Sequence, residues 1–393
     1  MNRIILTKNS IIIFAIILSL LAFINKAAYQ IYTDYAIVFS YLLFFIYFLC
    51  SKFRWNEFIK FFTYIGIAFI YSISTLVFTH GGVGSVFTYL FPIIYLFVMD
   101  DASIEDESFY KLTLVFIAFV VIWGLFSNGY VERFVNNRSR YINSNSVASA
   151  VEGCAIYVDL LIMKLNRKKI YSVIVYIFAF ICVLNCQDRT AAICMALFII
   201  LAHLIPKKIF TYRMVMIICI ALMIMGFLFP MFYVWLYKGG AIVNTNFLSF
   251  SDKSFFSGRE LIWVRFFDVM GKSFKNWMIG VGSNAPIYLY YGEQQHLHNN
   301  SLAIITCFGI VGYVIFFGYI LAKIRKILKN KEPDKFIVTC IISFFVYLIA
   351  GFTENSMVGF NLFPLFGIGI ALIENNKKCS KETAEIIDSK LNY

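Results

Sequence analysis

The chain contains about twelve separate apolar runs that are long enough to cross, or nearly cross, a lipid bilayer. A helix needs about 20 predominantly apolar residues for that purpose. Such runs must be helical in lipid, which offers the backbone no other hydrogen-bond partner. We therefore predict an all-α, polytopic integral membrane protein. The runs lie near 10–25, 34–50, 58–78, 86–99, 111–126, 147–163, 170–186, 190–205, 214–236, 300–324, 336–352 and 358–373.

The composition favours the same class of protein. Hydrophobic residues make up 61% of the chain, charged residues make up 14%, and the mean hydropathy is +0.78. Soluble domains average roughly 45–50% apolar and 25% charged residues. In a membrane protein, basic residues mainly reflect which loops face the cytoplasm. The formal charge of +12 therefore does not indicate a nucleic-acid partner, and none is expected. The nine cysteines form no CxxC pair, which disfavours a structural zinc site or a disulfide framework.

Lysine and arginine in the short loops predict the orientation. The loops "SKFRWNE", "KLNRKK", "PKKIFTYR" and "KIRKILKNKEPDK" and the tail "NNKKCSK" fall on one side of an alternating path of twelve spans. The opposite loops "THGGVGS" and "TENSM" carry none of these basic residues. Basic loops stay cytoplasmic, so we expect both termini inside and an uncleaved first span.

This topology divides the chain into four parts. Residues 1–237 hold helices one to nine, 238–299 form a long extracytoplasmic loop, 300–376 hold helices ten to twelve, and 377–393 form a cytoplasmic tail. The long loop contains "SGRELIWVRFFDVMGKSF", in which Ser257 and Glu260 are spaced as a helix capping box. We predict a helix there that lies against the outer membrane surface.

Several arginines fall on the predicted outer side, although basic residues of membrane proteins generally lie in the cytoplasmic loops. A guanidinium group grips phosphate through two parallel hydrogen bonds and stays charged near lipid. Arg259 stands near the start of the loop helix, where the helix dipole also favours an anion, and Trp263 is placed to stack on it. The alternative is an exposed arginine on a surface helix. The outer arginines are Arg133, Arg138, Arg140, Arg189, Arg259 and Arg265.

Two further residues have competing interpretations. Arg189 is either an anion ligand at the outer face, or a partner of Asp188 whose side chain reaches the headgroups. His298 precedes the span 300–324 and is either a polar residue at the interface or a general base, since neutral imidazole accepts protons at physiological pH. Beside phosphate-binding arginines, the base would suit a transfer in which a sugar hydroxyl attacks and a lipid phosphate leaves.

At these residues the chain resembles the O-antigen polymerase and O-antigen ligase superfamily of bacterial envelope proteins. That family has an S-G-R-x-x-x-W helix in a long outer loop, then a G-x-G turn, then H-N-x-x-L leading into a span with G-x-x-G. The order and spacing agree over roughly residues 127–320. The matching segments are "RYINSNSVA" (140–148), "QDRTAAI" (187–193), "SGRELIW" (257–263), "IGVGSN" (279–284) and "HNNSLAIITCFGIVG" (298–312).

The resemblance implies a GT-C-like fold and a glycosyltransferase that needs no metal and no cofactor. Its substrate would be an undecaprenyl-diphosphate-linked oligosaccharide at the outer face of the bacterial cytoplasmic membrane, and a chain-length regulator is a candidate partner. His298 and Arg259 would be catalytic. The family commonly has serine where this chain has Asp188, which weakens the assignment of Arg189. The implied substrate-binding residues are Arg189, Arg140, Asn145, Arg265 and Asn299.

Other functions remain open at this stage. A ligase that transfers finished polymer onto lipid A-core would share the site and differ mainly in its acceptor. A flippase or other transporter of lipid-linked oligosaccharide would need polar residues within the membrane, and Glu152 and Asp159 in the run 147–163 fit that requirement. The long outer loop favours the transferase.

Overall fold

A computed structural model describes the protein at residues 15–18, 84–101, 144–239, 258–282, 289–290, 293–294, 297–329, 334–354 and 364–376, and at scattered positions between 39 and 118. The described part is mostly helical, as predicted. The predicted spans near 34–50 and 58–78 and the tail 377–393 lie largely outside it.

Ten helices and one small β-ribbon are numbered here in chain order. The helices are α1 (Gly84–Asp101), α2 (Ser144–Lys164), α3 (Ile170–Asn185), α4 (Arg189–Ile199), α5 (Tyr212–Lys238), α6 (Arg259–Gly271), α7 (Phe274–Ile279), α8 (Asn300–Lys329), α9 (Lys335–Ala350) and α10 (364–376). A one-turn π-helix, Ile200–Leu204, continues α4, and Lys207–Ile209 form a 3₁₀ turn. Strands β1 (Leu289–Tyr290) and β2 (Glu293–Gln294) pair antiparallel.

The long helices pack side by side. Among the described residues, side-chain oxygens cap four of them, because the first N–H groups of a helix lack partners within it. Asp188 accepts a hydrogen bond from the Ala191 N–H at α4, and Thr211 accepts one from the Met214 N–H at α5. Asn299 accepts one from the Leu302 N–H at α8, and Asp334 accepts one from the Ile337 N–H at α9. Helix α2 packs against α3, α4 and α9, so its side chains form the centre of the bundle.

Within the described residues, two helices, α5 and α8, are long and apolar enough to cross a membrane. Only 28% of the most apolar window of α5 is buried. Its exposed apolar side chains include Ile217, Ile224, Phe232 and Trp235. Water is a poor surrounding for such a face, so it fits contact with lipid better than with solvent.

One end of the bundle is held by ion pairs, and we call it the Glu374 end. Lys164 at the end of α2 pairs with Glu374 of α10, and the Tyr110 hydroxyl donates to the same carboxylate. Asp100 accepts hydrogen bonds from Lys323 at 2.6 Å and from Lys326 at 2.5 Å. Burial acts to raise the pKa of Asp100, but the two ammonium groups outweigh it and hold that pKa below its ordinary value of 3.8.

Helix α8 is broken at Gly309, where the backbone is non-helical with φ of 65° and ψ of −172°. The break leaves nearby carbonyl groups without their helical partners. The Val281 N–H donates to the Thr306 carbonyl at 2.7 Å, and the Gly282 N–H donates to the Cys307 carbonyl at 3.2 Å. The two glycine-containing segments of the sequence therefore meet, and the turn after α7 satisfies the break in α8.

The structure corrects two predictions about the loop helix. Helix α6 begins at Arg259, and its cap is Gly258 in the left-handed conformation without a side-chain hydrogen bond, so the capping box was wrong. The expected surface position is also wrong. Trp263, Phe266 and Met270 are fully buried, because α6 packs against α5, α7 and α8. The helix forms part of the core at the end opposite Glu374.

Candidate functional site

A carboxylate, Glu354, joins the two residues that the sequence predicts to be catalytic. Arg259 Nη2 donates to Glu354 Oε1 at 2.5 Å, and His298 Nδ1 lies 3.2 Å from Glu354 Oε2. Arg259 begins α6, His298 precedes α8, and Glu354 follows α9, so three elements converge. The side chains of Arg259, Glu354 and His298 are 21%, 18% and 34% exposed, and all three therefore remain open to a ligand.

The backbone holds His298 in an uncommon conformation. Its φ is 48°, in the left-handed region that non-glycine residues rarely adopt. The residue before it, Leu297, is buried, and its carbonyl accepts a hydrogen bond from Trp263 Nε1 at 2.7 Å. Trp263 does not provide the predicted cation–π platform. Instead its ring packs against Phe229 and Tyr233, and its N–H fixes the chain just before the histidine.

Asn299 is fully buried and all its amide atoms are engaged within the protein. Its Nδ2 donates to the Gly226 carbonyl at 3.0 Å and to the Phe352 carbonyl at 2.9 Å, and its Oδ1 accepts from the Leu302 N–H at 2.8 Å. The Asn300 N–H also donates to the Gly351 carbonyl at 2.9 Å. Asn299 thus fastens the start of α8 to α5 and to the turn after α9. Its geometry suits positioning His298 rather than contacting a substrate.

Arg189 lies at the same end of the bundle as Glu354. It is the first residue of α4, and the hydroxyl of its neighbour Thr190 lies 3.0 Å from the hydroxyl of Thr353, next to Glu354. The Asp188 carboxylate caps α4 through the Ala191 N–H at 3.1 Å. The structure therefore brings the Arg189 segment beside the triad of Arg259, Glu354 and His298, which we call the Glu354 triad.

The remaining predicted site residues are Arg265, Asn145 and Arg140, and no contact joins them to this triad within the described residues. Arg265 is on α6 six residues after Arg259, about 240° around the helix, so it points to another side. Its Nε is buried and has no hydrogen-bond partner within the described part of the chain. Asn145 is in the first turn of α2. Arg140 falls outside the described residues.

A second acidic residue, Glu152, lies beneath the triad. It is on α2 and only 2% exposed. Its carboxyl group is close enough to those of Asp188 and Glu354 to interact with them electrostatically. Within the described residues, no group of three or more His, Cys, Asp or Glu side chains has the geometry to hold a metal ion.

Sequence reasoning missed Glu354. The loop "TENSM" serves in the topology prediction only as a loop without lysine or arginine. Glu354 is the one acidic residue in that loop, and a carboxylate in a short loop facing arginines is the signal that could have identified it. Its partners come from segments that are remote in sequence, so spacing alone cannot pair them.

The geometry defines what the site can do. When the hydrogen of the His298 ring is on Nδ1, it is donated to Glu354, and Nε2 keeps a lone pair that can accept a proton. Arg259 uses one N–H group on Glu354, and its planar fork carries further donors for an anion. No protein-family model matches the chain, and no curated protein matches it.

Proposed function

We propose that the protein is a metal-independent glycosyltransferase that polymerises surface polysaccharide in the manner of an O-antigen polymerase. The substrate is an undecaprenyl-diphosphate-linked oligosaccharide repeat unit, and the acceptor is a second repeat unit. The observation that carries this proposal is the convergence of Arg259 and His298, two residues remote in sequence, on Glu354.

In the proposed reaction His298 is the general base. Its Nε2 takes the proton from the attacking sugar hydroxyl, while Glu354 holds the ring through Nδ1 and stabilises the positive charge that develops on it. A carboxylate behind a catalytic histidine has this role in other enzymes. The new glycosidic bond forms as the bond between the donor sugar and the lipid diphosphate breaks, so the energy comes from the substrate itself.

The arginines stabilise the departing diphosphate. Negative charge grows on the leaving oxygen in the transition state, and prepositioned cations lower the barrier most at that point. Arg259 is fixed by Glu354 and presents its remaining N–H groups, and Arg189 stands nearby at the start of α4. Arg140, Asn145 and Arg265 belong to the proposal through the family resemblance alone.

The proposal also places the protein in the membrane. We propose about twelve spans with a GT-C-like arrangement in the bacterial cytoplasmic membrane, both termini cytoplasmic, and the Glu354 triad at the extracytoplasmic face. The basic connections after α2, α4 and α8 all leave helices at the Glu374 end, which fits a cytoplasmic location for that end. The apolar outer face of α5 supports contact with lipid.

Two other functions remain candidates. A ligase that moves polymer onto lipid A-core would use the same residues, because it differs mainly in the acceptor. A transporter of lipid-linked oligosaccharide is favoured by the buried acids Glu152 and Asp159, since ionisable groups within a membrane often mark transport paths.

Deleting the gene and profiling the surface polysaccharide separates these functions. Single repeat units on the core support the polymerase, whereas free lipid-linked polymer supports the ligase. Loss of all repeat units from the cell surface, with lipid-linked repeat units retained inside the cell, supports the transporter. An unchanged profile contradicts all three.

Complementation with variants then tests the site. Arg259→Lys keeps the charge but loses the fork, so we expect polymer to be lost at normal protein abundance. Arg213→Lys, an exposed arginine at the Glu374 end, is the matched control and should restore wild-type polymer.

A further inference from the structure

A proline in the middle of α5 leaves a backbone carbonyl group without its helical donor. Pro230 lies inside this helix and is buried. Proline has no backbone N–H, and its ring crowds the carbonyl group of the residue four positions earlier, which here is Gly226. The Gly226 carbonyl therefore cannot receive the usual hydrogen bond along α5. A buried carbonyl of this kind needs a donor from another part of the chain.

Asn299 supplies that donor. Its Nδ2 donates to the Gly226 carbonyl at 3.0 Å and to the Phe352 carbonyl at 2.9 Å. Its Oδ1 accepts from the Leu302 N–H at 2.8 Å. The Asn299 side chain is fully buried, so these hydrogen bonds are shielded from water. Because His298 comes directly before Asn299, the position of the Gly226 carbonyl fixes the segment that carries the imidazole ring.

The missing side chain at Gly226 allows α8 to approach this carbonyl. A Cβ atom built at Gly226 would lie 2.5 Å from Ser301 Oγ and 3.7 Å from Ser301 Cβ. The first of these contacts is far inside the normal van der Waals distance, so even alanine would push the first turn of α8 away from α5. The two residues of α5 therefore act differently: Gly226 provides the space, and Pro230 keeps the carbonyl available.

A tyrosine beyond the break in α8 ties both halves of that helix to α5. The Tyr313 hydroxyl donates to the Met223 carbonyl of α5 at 2.8 Å and lies 3.1 Å from Ser301 Oγ. A phenol has one hydrogen, so while that hydrogen is donated to Met223, the Tyr313 oxygen accepts from Ser301. Ser301 precedes the break at Gly309 and Tyr313 follows it. The hydroxyl group thus holds the first turn of α8 against α5.

The backbone conformation of His298 requires support of this kind. Its φ of 48° is in the left-handed region, which a residue with a side chain keeps only where the surrounding structure imposes it. On one side, the Leu297 carbonyl accepts from Trp263 Nε1 at 2.7 Å. On the other side, Asn299 is held by α5. The ring between these two fixed points meets Glu354 through Nδ1 at 3.2 Å.

We propose that Pro230, Gly226 and Tyr313 are positioning residues, which set the imidazole ring of His298 against Glu354. They act through the first turn of α8, and no substrate contact is assigned to them. The role of His298 as the base belongs to the proposed function, on which the catalytic part of this inference rests. The orientation of the ring is a separate property and is measured without any sugar substrate.

Replacing Pro230 by alanine tests the proposal in the full-length protein. Alanine restores an N–H that bonds to the Gly226 carbonyl and relieves the crowding by the proline ring, so the carbonyl turns back towards its own helix and away from Asn299. Proline is the least favourable residue in a helix interior and alanine the most favourable, so the variant should fold. Tyr313→Phe is an independent second variant, which removes the hydroxyl link and keeps the aromatic ring.

Pro92 provides the matched control. It is a buried proline inside α1, and α1 packs against α8 as α5 does. The hydrogen bonds of the Asn299 side chain go to α5, to α8 and to the turn after α9. Pro92→Ala therefore removes a helix proline of the same kind without changing these partners of Asn299.

The readout is the nitrogen NMR spectrum of the His298 ring in purified protein with isotope-labelled histidine, at alkaline pH, where imidazole is neutral. His298→Gln identifies the resonances by their loss. A ring held by Glu354 keeps its hydrogen on Nδ1 and gives two well separated nitrogen signals, whereas a released ring exchanges between its two tautomers and gives averaged signals. We expect separated signals in wild type and Pro92→Ala, and averaged signals in Pro230→Ala and Tyr313→Phe.

Separated signals in Pro230→Ala overturn the proposal, and so do averaged signals in wild type or in Pro92→Ala. Tyr313→Phe decides in the same way if Pro230→Ala does not fold. Kinetics give a second readout, since misplacement of the base should lower kcat for polymer formation in Pro230→Ala by up to about 10²-fold and leave KM for the lipid-linked donor unchanged. A wild type that makes no polymer contradicts the proposed function, and the NMR result still decides whether these residues position the ring.

Discussion

Replacing Glu354 by glutamine should damage both the stability and the activity of the protein. The glutamine side chain has nearly the same shape but no charge, so Arg259 loses its counterion and His298 loses the acceptor that fixes its ring. Hydrogen bonds to charged groups contribute about 1.5–3 kcal/mol. The two side chains of the ion pair are 21% and 18% exposed, so partial solvation should keep the loss towards the lower end of that range.

A double-mutant cycle isolates the Arg259–Glu354 interaction. The variants are Arg259→Gln, Glu354→Gln and both together, and the readout is thermal unfolding of the purified protein in detergent. Residues in direct contact show coupling free energies of about 0.5–3 kcal/mol. We expect a coupling of about 1–2 kcal/mol, because the 2.5 Å contact is charged and mostly shielded from solvent.

Activity gives the second readout for Glu354. Loss of the group that orients the base should lower the rate of polymer formation by about 10²–10⁴-fold, the usual contribution of a positioned general base. Glu354→Asp keeps the charge and should recover part of the rate. Strictly additive unfolding free energies together with a wild-type rate in Glu354→Gln would refute the reasoning.

Three further predictions concern the surroundings of the site. Trp263→Phe leaves the buried Leu297 carbonyl without its donor, so we expect a loss of about 1–3 kcal/mol in stability and slower turnover, measured by unfolding and polymer formation. Gly309→Ala places a Cβ against the Met278 carbonyl at a φ of 65°, which should destabilise the fold by about 2–5 kcal/mol in the same unfolding assay. Asp100→Asn removes the acceptor of Lys323 and Lys326. Because the folded pKa of Asp100 is lowered, its contribution is present above pH 3.8 and is lost as the pH falls below that value, so the difference in unfolding temperature from wild type should shrink in acid.

Helix type and position could be predicted well from the sequence where apolar runs were long. The predicted span 214–236 is α5 with bounds Tyr212–Lys238, and the predicted span 336–352 is α9 with bounds Lys335–Ala350. Hydropathy predicts the bounds of these helices because every residue that faces lipid or the core must itself be apolar, whichever residues it contacts in the fold. The span 300–324 is also present, as α8, but its break at Gly309 depends on a backbone partner twenty-eight residues earlier in the chain, Val281.

The site was predictable only in part, because its residues are brought together by tertiary contacts that spacing in the sequence does not specify. Arg259 and His298 were identified from residue type and motif, and the structure brings them together. Glu354, the residue that joins them, could not be paired with them by spacing. The burial of α6 was missed because Trp263, Phe266 and Met270 fit both a surface helix and a core helix, and only tertiary contacts decide between the two.

Polymer formation by reconstituted protein is the most direct test of the proposed chemistry. Purified protein in liposomes would be given undecaprenyl-diphosphate-linked repeat units without added divalent metal, and product length would be followed over time. We predict that wild type makes polymer and that His298→Gln, which keeps a hydrogen-bonding side chain without a useful base, is about 10²–10⁴-fold slower while still binding the lipid-linked donor. A near-normal rate in His298→Gln, or an absolute requirement for a divalent metal in wild type, would contradict the proposed mechanism.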